Sequence, residues 1–330
     1  MDNKKYLVIG ATGHVGSKTT ILLANRGYDV TAMVRNEGAV IKDSYTGTIK
    51  YVVGDLSNEQ SIINAVQGMN VVINTANGLL PQKKGDSVTG VNDGAVRLIT
   101  LCENAGVERF VQSSTPTFKY DKNVPELWGK RLIEKRLQTS SMQSVIIRNP
   151  AFMDVFIVMS GFQQAEDYSL HATTKRNCGF AQWYMKQVGN FVIKRGWMLA
   201  PGGAKHGTPT ISTRDVAEML FAGAIYEGNE KRILIEAGGP EWLTWKQIAA
   251  IVAEKVGRNK IRLIPIPAWM ANLNKAMVKP FSKSAANIFA MMGFVAAFQP
   301  HWENKTDVIK KFSLPKQLTL FDYLDINYKK

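Results

Sequence analysis

The feature that most constrains the fold is the stretch VIGATGHVGS at residues 8–17. Gly10, Gly13 and Gly16 follow the apolar run YLVI and precede KTTILLANRG, which has the pattern of a helix that ends at a glycine. Gly10 permits a tight turn, Gly13 lets backbone N–H groups approach a pyrophosphate, and Gly16 lets the helix pack closely on the sheet. A strand, this turn and a helix in this order predict a dinucleotide-binding site.

Three further residues of the turn are assigned to the same site. Thr12 is expected to brace the loop through its hydroxyl group. His14 and Val15 lie where main-chain donors of the turn meet phosphate. As a single histidine in a loop, His14 is expected to face solvent rather than to take part in catalysis.

Apolar runs alternate with helical patterns along the first half of the chain. Six runs rich in β-branched residues are separated by helical spacers, which predicts an α/β fold with a doubly wound parallel Rossmann sheet. One of the helices is predicted to begin with a capping box between Ser57 and Gln60. Beyond Pro150 the pattern loosens into at least one more strand, RILIEAGG, and several helices. We predict an NAD(P)-binding Rossmann domain over residues 1–156 and a smaller, mostly helical C-terminal substrate lobe over residues 157–330, with some strands returning to the main sheet.

Basic residues are distributed unevenly along the chain. The 330 residues carry a formal net charge of +14. Residues 1–155 hold 18 Lys and Arg against 14 Asp and Glu (+4), and residues 156–330 hold 23 against 13 (+10). Such a bias suits an anionic ligand or an acidic surface. Because the cations are spread singly, without a zinc-finger or RNA-binding signature, nucleic acid is not expected as a partner.

Several other classes of protein are disfavoured by short segments. The start, MDNKKYLVIG, runs directly into the glycine turn, so it predicts a first strand rather than a signal peptide, and a cytoplasmic protein is expected. Cys102 and Cys178 are too few for a disulfide framework and lack the spacing of metal ligands. No Gly-x-Ser-x-Gly motif is present, and neither a metal site nor a Ser-His-Asp triad is predicted. The histidines are scattered: His14, His171, His206 and His301.

A segment rich in Met, Ala and Phe spans residues 269–298. Its longest apolar run, NIFAMMGFVAAF, has about a dozen residues, fewer than the roughly 20 that span a bilayer. Lys275, Lys279 and Lys283 leave room for peripheral contact with an anionic membrane. A helix that closes over an apolar substrate or packs in a dimer is the favoured interpretation, and the oligomeric state is left open.

The residue at the end of the second predicted strand points to the cofactor. In TAMVRN, Arg35 stands where proteins that bind NAD usually place an acid for the adenosine ribose. A guanidinium group there pairs with a 2′-phosphate, so NADP(H) is favoured over NAD(H). Two alternatives stay open, a merely solvated arginine and NAD binding helped by Glu37.

Several motifs occur together in the first half of the chain: GATGHVG, Arg35, GDL at residues 54–56, SST at residues 113–115, Lys130 with Glu134, and IIRNPAFMDVF at residues 146–156. These motifs resemble the atypical short-chain dehydrogenase/reductases of the NmrA-like, isoflavone-reductase-like type. The later segments ISTRDVAEM, GGPEWLTWKQIA and KKFSLPKQLTLFDYL are also similar to segments of that family, and the resemblance is strong over residues 1–156 and loose over residues 157–205 and 265–300. The family includes isoflavone-reductase-like enzymes, NAD(P)H:quinone-reductase-like proteins and inactive redox-sensing regulators.

The resemblance implies further cofactor-binding positions. Asp55 and Leu56 would lie beside the adenine, and Ala76 and Asn77 would follow the fourth strand along the adenosine. The positions implied beside the nicotinamide are Ser113, at the end of the fifth strand, and a wall formed by Pro150, Ala151 and Phe152.

Lys130, in PELWGKRLIEK, is the catalytic residue implied by the resemblance. Short-chain dehydrogenases use Tyr-x-x-x-Lys, in which the lysine binds the nicotinamide ribose and lowers the pKa of the tyrosine. Here Glu126 takes the place of that tyrosine, so ordinary alcohol or ketone chemistry is not expected. Isoflavone-reductase-like members use the lysine as ribose anchor and proton donor while hydride goes to a conjugated C=C bond. The alternative is a surface lysine on an amphipathic helix, paired with Glu134.

The sequence favours an NADPH-dependent reductase that transfers hydride to a small conjugated acceptor of the quinone or enone type, flat and partly apolar or anionic. The alternative is a non-catalytic NADP(H)-binding redox sensor or assembly factor that acts through a protein partner. The missing tyrosine favours this alternative, whereas Lys130 and the apolar second half favour the enzyme. Four aromatic residues are candidates for a hydroxyl group or a ring in the site, with packing as the alternative for each: Tyr120, Trp128, Trp183 and Tyr184.

Overall fold

The computed structural model describes residues 3–80, 86–299 and 312–329. The strands are β1 (Lys5–Ile9), β2 (Asp29–Val34), β3 (Ile49–Val53), β4 (Val71–Asn74), β5 (Arg109–Ser114), β6 (Gln143–Arg148), β7 (Trp197–Pro201), β8 (Gly207–Thr210), β9 (Arg232–Glu236), β10 (Glu241–Thr244) and β11 (Arg262–Ile266). The helices are α1 (His14–Asn25), α2 (Glu59–Val66), α3 (Val88–Asn104), α4 (Pro125–Gln138), α5 (Met153–Met159), α6 (Gly179–Val188), α7 (Phe191–Arg195), α8 (Thr213–Ala224), α9 (Trp245–Val256), α10 (Ala268–Val278), α11 (Lys283–Ala297) and α12 (Leu320–Asn327).

Seven strands form one parallel sheet in the order β3-β2-β1-β4-β5-β6-β9. The six strands predicted in the first half are all present, and the strand predicted at RILIEAGG returns as the seventh. The chain reverses its direction across the sheet between β1 and β4. This position is the switch point at which parallel α/β sheets bind ligands at the carboxyl ends of their strands.

Helices cover both faces of the large sheet, which confirms the doubly wound fold. Leu23 of α1 and Leu220 of α8 belong to the apolar core on one face. Leu98 of α3 and Ile133 of α4 belong to the core on the other face. Because β-branched side chains fill both sides of these strands, the sheet is buried between two helical layers.

The second half contributes to two parts of the molecule. α8 and β9 belong to the large sheet and its cover, whereas two small sheets, β8 with β10 and β7 with β11, lie in a separate core around Trp245. Trp245 is buried, and its Nε1 donates a hydrogen bond to the Pro201 carbonyl oxygen at 2.9 Å. This second core carries most of the helical C-terminal region, and the domain boundary at residue 156 stays a prediction.

The start of α2 differs from its prediction. The N-cap is Asn58, whose side chain accepts from the Ser61 N–H at 3.1 Å, so the capping box between Ser57 and Gln60 is wrong. Ser57 instead donates its hydroxyl to Asp55 Oδ1 at 2.7 Å. Because the Ser57 hydroxyl group binds Asp55, it does not cap the helix, and the helix begins one residue later than predicted.

No helix in the described part of the chain is both long and apolar enough to cross a membrane. α11, which contains most of the Met-rich run, has 15 residues. His301, one of the scattered histidines, lies outside the described residues.

Asp215 joins the start of α8 to the C-terminal segment. It forms a capping box with Ser212 and accepts from the Leu318 N–H at 3.3 Å. Burial raises the pKa of this carboxyl group to about 6. The folded state therefore holds a proton that the unfolded chain, with its ordinary pKa near 3.8, has already released.

This difference predicts that Asp215 makes folding less favourable as the pH rises from about 4 to about 7. The shift of about two units corresponds to a loss on the order of 3 kcal/mol. The Asp215→Asn variant keeps the cap but has no group there that ionises. The unfolding free energy of the variant minus that of the wild type, measured by urea titration, should therefore increase across this pH range. Glu254→Gln, an exposed change on α9, is the control. A difference for Asp215→Asn that stays constant with pH would contradict the prediction.

Candidate functional site

A cavity of about 490 Å³ lies at the carboxyl ends of the central strands. Residues that follow β1 to β6 line one part of it, and further lining residues come from α3, α4, α5, α6, α9 and α11, from β7 and β11, and from the segment at residues 173–176. The structure thus brings together residues from distant parts of the sequence, whose roles in binding stay predictions. Every residue assigned to the cofactor lines this cavity: Gly10, Thr12, Gly13, His14, Val15, Gly16, Arg35, Asp55, Leu56, Ala76, Asn77, Ser113, Lys130, Pro150, Ala151 and Phe152.

The turn between β1 and α1 leaves no room for a side chain at its glycine positions. Gly10 has a φ of +76°, in the left-handed region that favours glycine. A Cβ atom on Gly16 would lie 2.2 Å from the Gly10 carbonyl oxygen and 2.6 Å from Thr75 Oγ1. Gly13 is the N-cap of α1 and has no side chain to accept from the first N–H groups of the helix. These donors are therefore left for an anionic ligand.

His14 is buried, so the expectation that it faces solvent is wrong. Its Nε2 lies 3.0 Å from Asp167 Oδ2, and Nδ1 lies 3.3 Å from Thr173 Oγ1. Lys18 Nζ lies 2.8 Å from the same Asp167 oxygen. Burial opposes ionisation of Asp167, but His14 and Lys18 hold its pKa well below the usual range. His14 thus joins the glycine turn to the second half of the chain.

Asp154 completes this cluster. One possible ligand atom each from His14, Asp154 and Asp167 lie within 4.8 Å of one another. Burial raises the pKa of Asp154, and the Lys18 ammonium group already neutralises Asp167. A cation would have to compete with this ammonium group, and the sequence-based expectation of no metal stays a prediction.

Two guanidinium groups lie beside the glycine turn. Arg176 donates to the carbonyl oxygens of Thr12 and His171, and Arg35 Nη1 donates to Asp86 Oδ2 at 2.7 Å. Burial, and secondly the charge of Arg35, lower the pKa of Arg176. Both arginines and Asp86 line the cavity. Sequence reasoning missed Arg176 because it lies in an irregular stretch without a motif.

Lys130 is buried in the wall of the cavity, so the alternative of a surface lysine is wrong. Its Nζ donates to the Ala76 carbonyl oxygen at 2.9 Å and lies 3.3 Å from Glu126 Oε1. Glu126 is buried too, and it accepts from Asn77 Nδ2 at 3.0 Å and from Asn92 Nδ2 at 3.4 Å. Glu126, at the position where the family resemblance implies a tyrosine, therefore fixes the position of the Lys130 ammonium group.

Glu134, the partner expected for a surface Lys130, belongs to another network. It accepts from Ser114 Oγ at 2.6 Å, Arg131 Nη1 at 2.9 Å and Arg148 Nη2 at 2.7 Å. These bonds join the ends of β5 and β6 to α4. On a helix, Lys130 can pair with a carboxylate four residues before it or four residues after it. Because Arg131 and Arg148 bind Glu134, Lys130 pairs with Glu126.

Asn149 was also missed, although it lies within the motif IIRNPAFMDVF. Its Nδ2 donates to Ser113 Oγ at 3.1 Å and lies in the cavity wall. Its Oδ1 is buried, and no donor among the described residues reaches it. A buried acceptor without a partner costs free energy unless a ligand supplies the donor.

Of the four aromatic candidates, Tyr184 lines the cavity. Its hydroxyl group donates to the Met159 carbonyl oxygen at 2.9 Å, and burial raises its pKa. Tyr120, Trp128 and Trp183 are exposed. Tyr184 is therefore a fixed donor within the wall rather than a substitute for the missing catalytic tyrosine.

The far end of the cavity is apolar. It is lined from the second half by side chains that include Trp245 and, on α11, Met291 and Met292. Phe294 of α11 also lines the cavity and packs edge-on against Phe118 at 5.2 Å between ring centroids. Part of the Met-rich segment thus lines the cavity, and whether the segment closes over a substrate or packs in a dimer stays a prediction.

Comparison with known proteins shows the family to which this chain belongs. Residues 10–195, more than half of the chain, match the model of a family described as NAD(P)H-binding. A curated relative, the photosystem II assembly factor Ycf39 of Trieres chinensis, is 27% identical over 175 residues, which cover 52% of this chain and 53% of that protein. The chain spans about half the length of the first curated relatives that it matches.

Solved structures share the fold over nearly the whole chain. The NADPH-dependent quinone oxidoreductase QOR2 of Escherichia coli, complexed with NADPH, has a TM-score of 0.65 and 14% identity, covering 97% of this chain and 98% of its own. The triphenylmethane reductase of Citrobacter sp., complexed with NADP(H), has a TM-score of 0.67 and 15% identity, covering 98% and 99%. At these identities the likeness shows the fold.

The buried Glu126–Lys130 pair predicts a specific pattern of stabilities. Glu126→Leu leaves the Lys130 ammonium group buried without its carboxylate, so the unfolding free energy should fall by about 3–5 kcal/mol. The double variant Glu126→Leu, Lys130→Met removes both charges and should recover much of this loss in urea unfolding. Glu254→Leu, at an exposed position, is the control. A double variant as unstable as Glu126→Leu alone would contradict the pairing.

Proposed function

We propose that this chain, which belongs to the NAD(P)H-binding family, is an NADPH-dependent reductase that transfers hydride to a small conjugated acceptor of the quinone or enone type. The observation that carries the proposal is the buried Lys130 ammonium group in the wall of a cavity that is also lined by the glycine turn and by apolar side chains of α11. A cation at this position fits both a ribose hydroxyl group and negative charge that develops on an acceptor oxygen.

The polar end of the cavity fits NADP(H). The cradle at Gly10 and Gly16 admits a pyrophosphate where a side chain would clash. A 2′-phosphate beside Arg35 and Arg176 would relieve the repulsion between the two guanidinium groups. The unpartnered Oδ1 of Asn149 would accept from the carboxamide group. When bound, NADPH supplies the hydride.

The remaining assigned positions keep the roles that the resemblance implies. Arg35 also contacts Asp86, so the preference for NADPH over NADH depends on whether the phosphate displaces that carboxylate. Along the adenosine we assign Asp55, Leu56, Ala76 and Asn77, and beside the nicotinamide Ser113, Pro150, Ala151 and Phe152.

Lys130 would act on the acceptor through its remaining N–H group. Nζ donates one hydrogen bond to the Ala76 carbonyl oxygen and forms an ion pair with Glu126, and these two contacts fix its position. An N–H group not directed to Ala76 would donate to an acceptor oxygen, stabilise its growing negative charge and supply a proton. Glu126 is then a positioning residue, and the apolar end beside Met291 and Met292 would receive a flat acceptor.

The names of two structural neighbours support this acceptor class. One is a quinone oxidoreductase dependent on NADPH, and the other is a triphenylmethane reductase complexed with NADP(H). Both are precedents for reduction of a conjugated molecule on this fold. They do not carry the proposal, because a shared fold hosts different chemistries.

A second candidate is a non-catalytic NADP(H)-binding sensor or assembly factor. The observations that favour it are the similarity to proteins named photosystem II assembly factor Ycf39 and the glutamate in the place of the catalytic tyrosine. In such a protein, Lys130 would anchor the cofactor without any turnover. The two candidates therefore assign different duties to the same ammonium group.

The Lys130→Met variant distinguishes the two candidate functions, because methionine keeps much of the aliphatic side chain and removes the charge. For the reductase we expect kcat/KM for a quinone or enone to fall by about 10²-fold or more, near 2.7 kcal/mol, with a smaller loss of NADPH affinity. Lys135→Met, at an exposed position of the same helix, should leave both unchanged. An active enzyme indifferent to Lys130→Met would show that the chemistry lies elsewhere.

Cofactor choice gives a further prediction. NADPH should bind more tightly than NADH in fluorescence titrations, and Arg35→Ser should narrow the gap by about 1–3 kcal/mol, the scale of a charge-assisted hydrogen bond. Arg176→Ser should act in the same direction. Arg26→Ser, which removes a guanidinium group paired with Glu218, is the control. Equal affinities for NADPH and NADH in the wild-type protein would overturn this prediction.

A further inference from the structure

α10 presents an apolar stripe to solvent. Trp269, Leu273 and Met277 recur at every fourth residue, and Phe281 continues this spacing just beyond the helix. Their exposed fractions are 67%, 52%, 62% and 90%. Residues four apart share one face of a helix, whereas Ala271 is buried where α10 packs against α11. Single exposed apolar residues are ordinary on protein surfaces, but an aligned row of large ones marks an interaction site.

The segment of sequence that contains this stripe carries only positively charged side chains. Residues 255–299 contain seven Lys and Arg and no Asp or Glu. Lys279 and Lys283 are exposed and lie two residues before and two residues after Phe281. The stripe is therefore an amphipathic, cationic surface, which is the composition of helices that lie in the headgroup region of a membrane.

The neighbouring surface has the same character. Lys275 Nζ donates to the carbonyl oxygen of Asn123 at 3.1 Å, which joins α10 to the segment before α4. Tyr120 and Trp128 of that region are exposed, and Lys122 Nζ lies 5.3 Å from the centroid of the Trp128 ring. Exposed tyrosine and tryptophan rings beside lysines are typical of membrane interfaces.

From this combination we propose that α10 docks the protein on an anionic lipid bilayer. The apolar side chains of the stripe enter the boundary between headgroups and acyl chains, and Lys279 and Lys283 pair with lipid phosphates. A protein partner fits less well, because the cores of protein interfaces are depleted of lysine. Here, two lysines directly flank the most exposed ring, that of Phe281.

Docking has a consequence for the cavity. α11 packs against α10 and also lines the apolar end of the cavity through Met291 and Met292. A bilayer on α10 would therefore lie one helix away from the acceptor end. In this respect the inference rests on the proposed function, since it identifies the acceptor as a lipid-dissolved quinone.

Vesicle flotation tests the docking itself, without cofactor or acceptor. The full chain should float with vesicles of phosphatidylcholine containing about one third phosphatidylglycerol, and at least about tenfold less with phosphatidylcholine alone. High salt should release it. Met277→Ser with Phe281→Ser, and separately Lys279→Glu with Lys283→Glu, should each reduce binding by about tenfold or more. These side chains are exposed, so folding should be unaffected. Leu170→Ser, at an equally exposed leucine on another segment, should bind as wild type.

Three results would overturn the docking proposal. These are failure to bind anionic vesicles, binding that the Met277→Ser, Phe281→Ser variant retains, and equal binding to both vesicles. Capture of an acidic protein by the same face, without vesicle binding, would assign the surface to a protein instead.

Turnover separates docking from the reductase activity. With a long-chain quinone in anionic vesicles, the Met277→Ser, Phe281→Ser variant should oxidise NADPH about tenfold more slowly than wild type. With a water-soluble quinone, the two proteins should be equal. Flotation without any turnover would contradict the proposed function but not the docking. Equal turnover of the long-chain quinone by both proteins would contradict the bilayer as the source of the acceptor.

Discussion

The structure depends on the close contact between the end of β1 and the first turn of α1. A Cβ atom at Gly16 would lie 2.2 Å from the Gly10 carbonyl oxygen, so the helix can approach the strand only if that residue has no side chain. This approach brings the N-terminus of α1 to the switch point of the sheet. The N–H donors of the turn, the wall after β4 and the arginine after β2 then share one cavity.

The sheet could be predicted from the sequence because each strand has its own local signal, a run of β-branched residues between helical spacers. The buried state of His14 could not, because its partner Asp167 lies 153 residues away in a stretch without periodicity. Arg176 was missed for the same reason. The sequence did not show which carboxylate pairs with Lys130, because both Glu126 and Glu134 lie one helical turn away. The two are distinguished by the contacts of Glu134 with Arg131 on the same helix and with Arg148 on β6.

The cavity combines a polar lining and an apolar lining in one site. Its polar lining has helix N–H donors and two guanidinium groups, which suit a phosphorylated ligand, and an unpartnered amide oxygen, which suits a hydrogen-bond donor. The rest of its lining includes methionine and aromatic side chains. Lys130 lies in the wall of the same cavity, held by the buried Glu126 at the position where the family resemblance implies a tyrosine. The glutamate removes a phenol donor and adds a carboxylate that fixes the ammonium group, and in the proposed reductase this ammonium group takes over the role of the proton donor.

Transfer of label from cofactor to acceptor distinguishes a reductase from a protein that only binds NADPH. Wild-type protein would be incubated with NADPH deuterated at the transferable position and with an enone, and the product would be examined by mass spectrometry. A reductase should give a reduced product with one deuterium at carbon, and the Lys130→Met variant should form this product more slowly. Tight binding of labelled NADPH with no consumption and no deuterated product from any enone or quinone would contradict the proposed reductase.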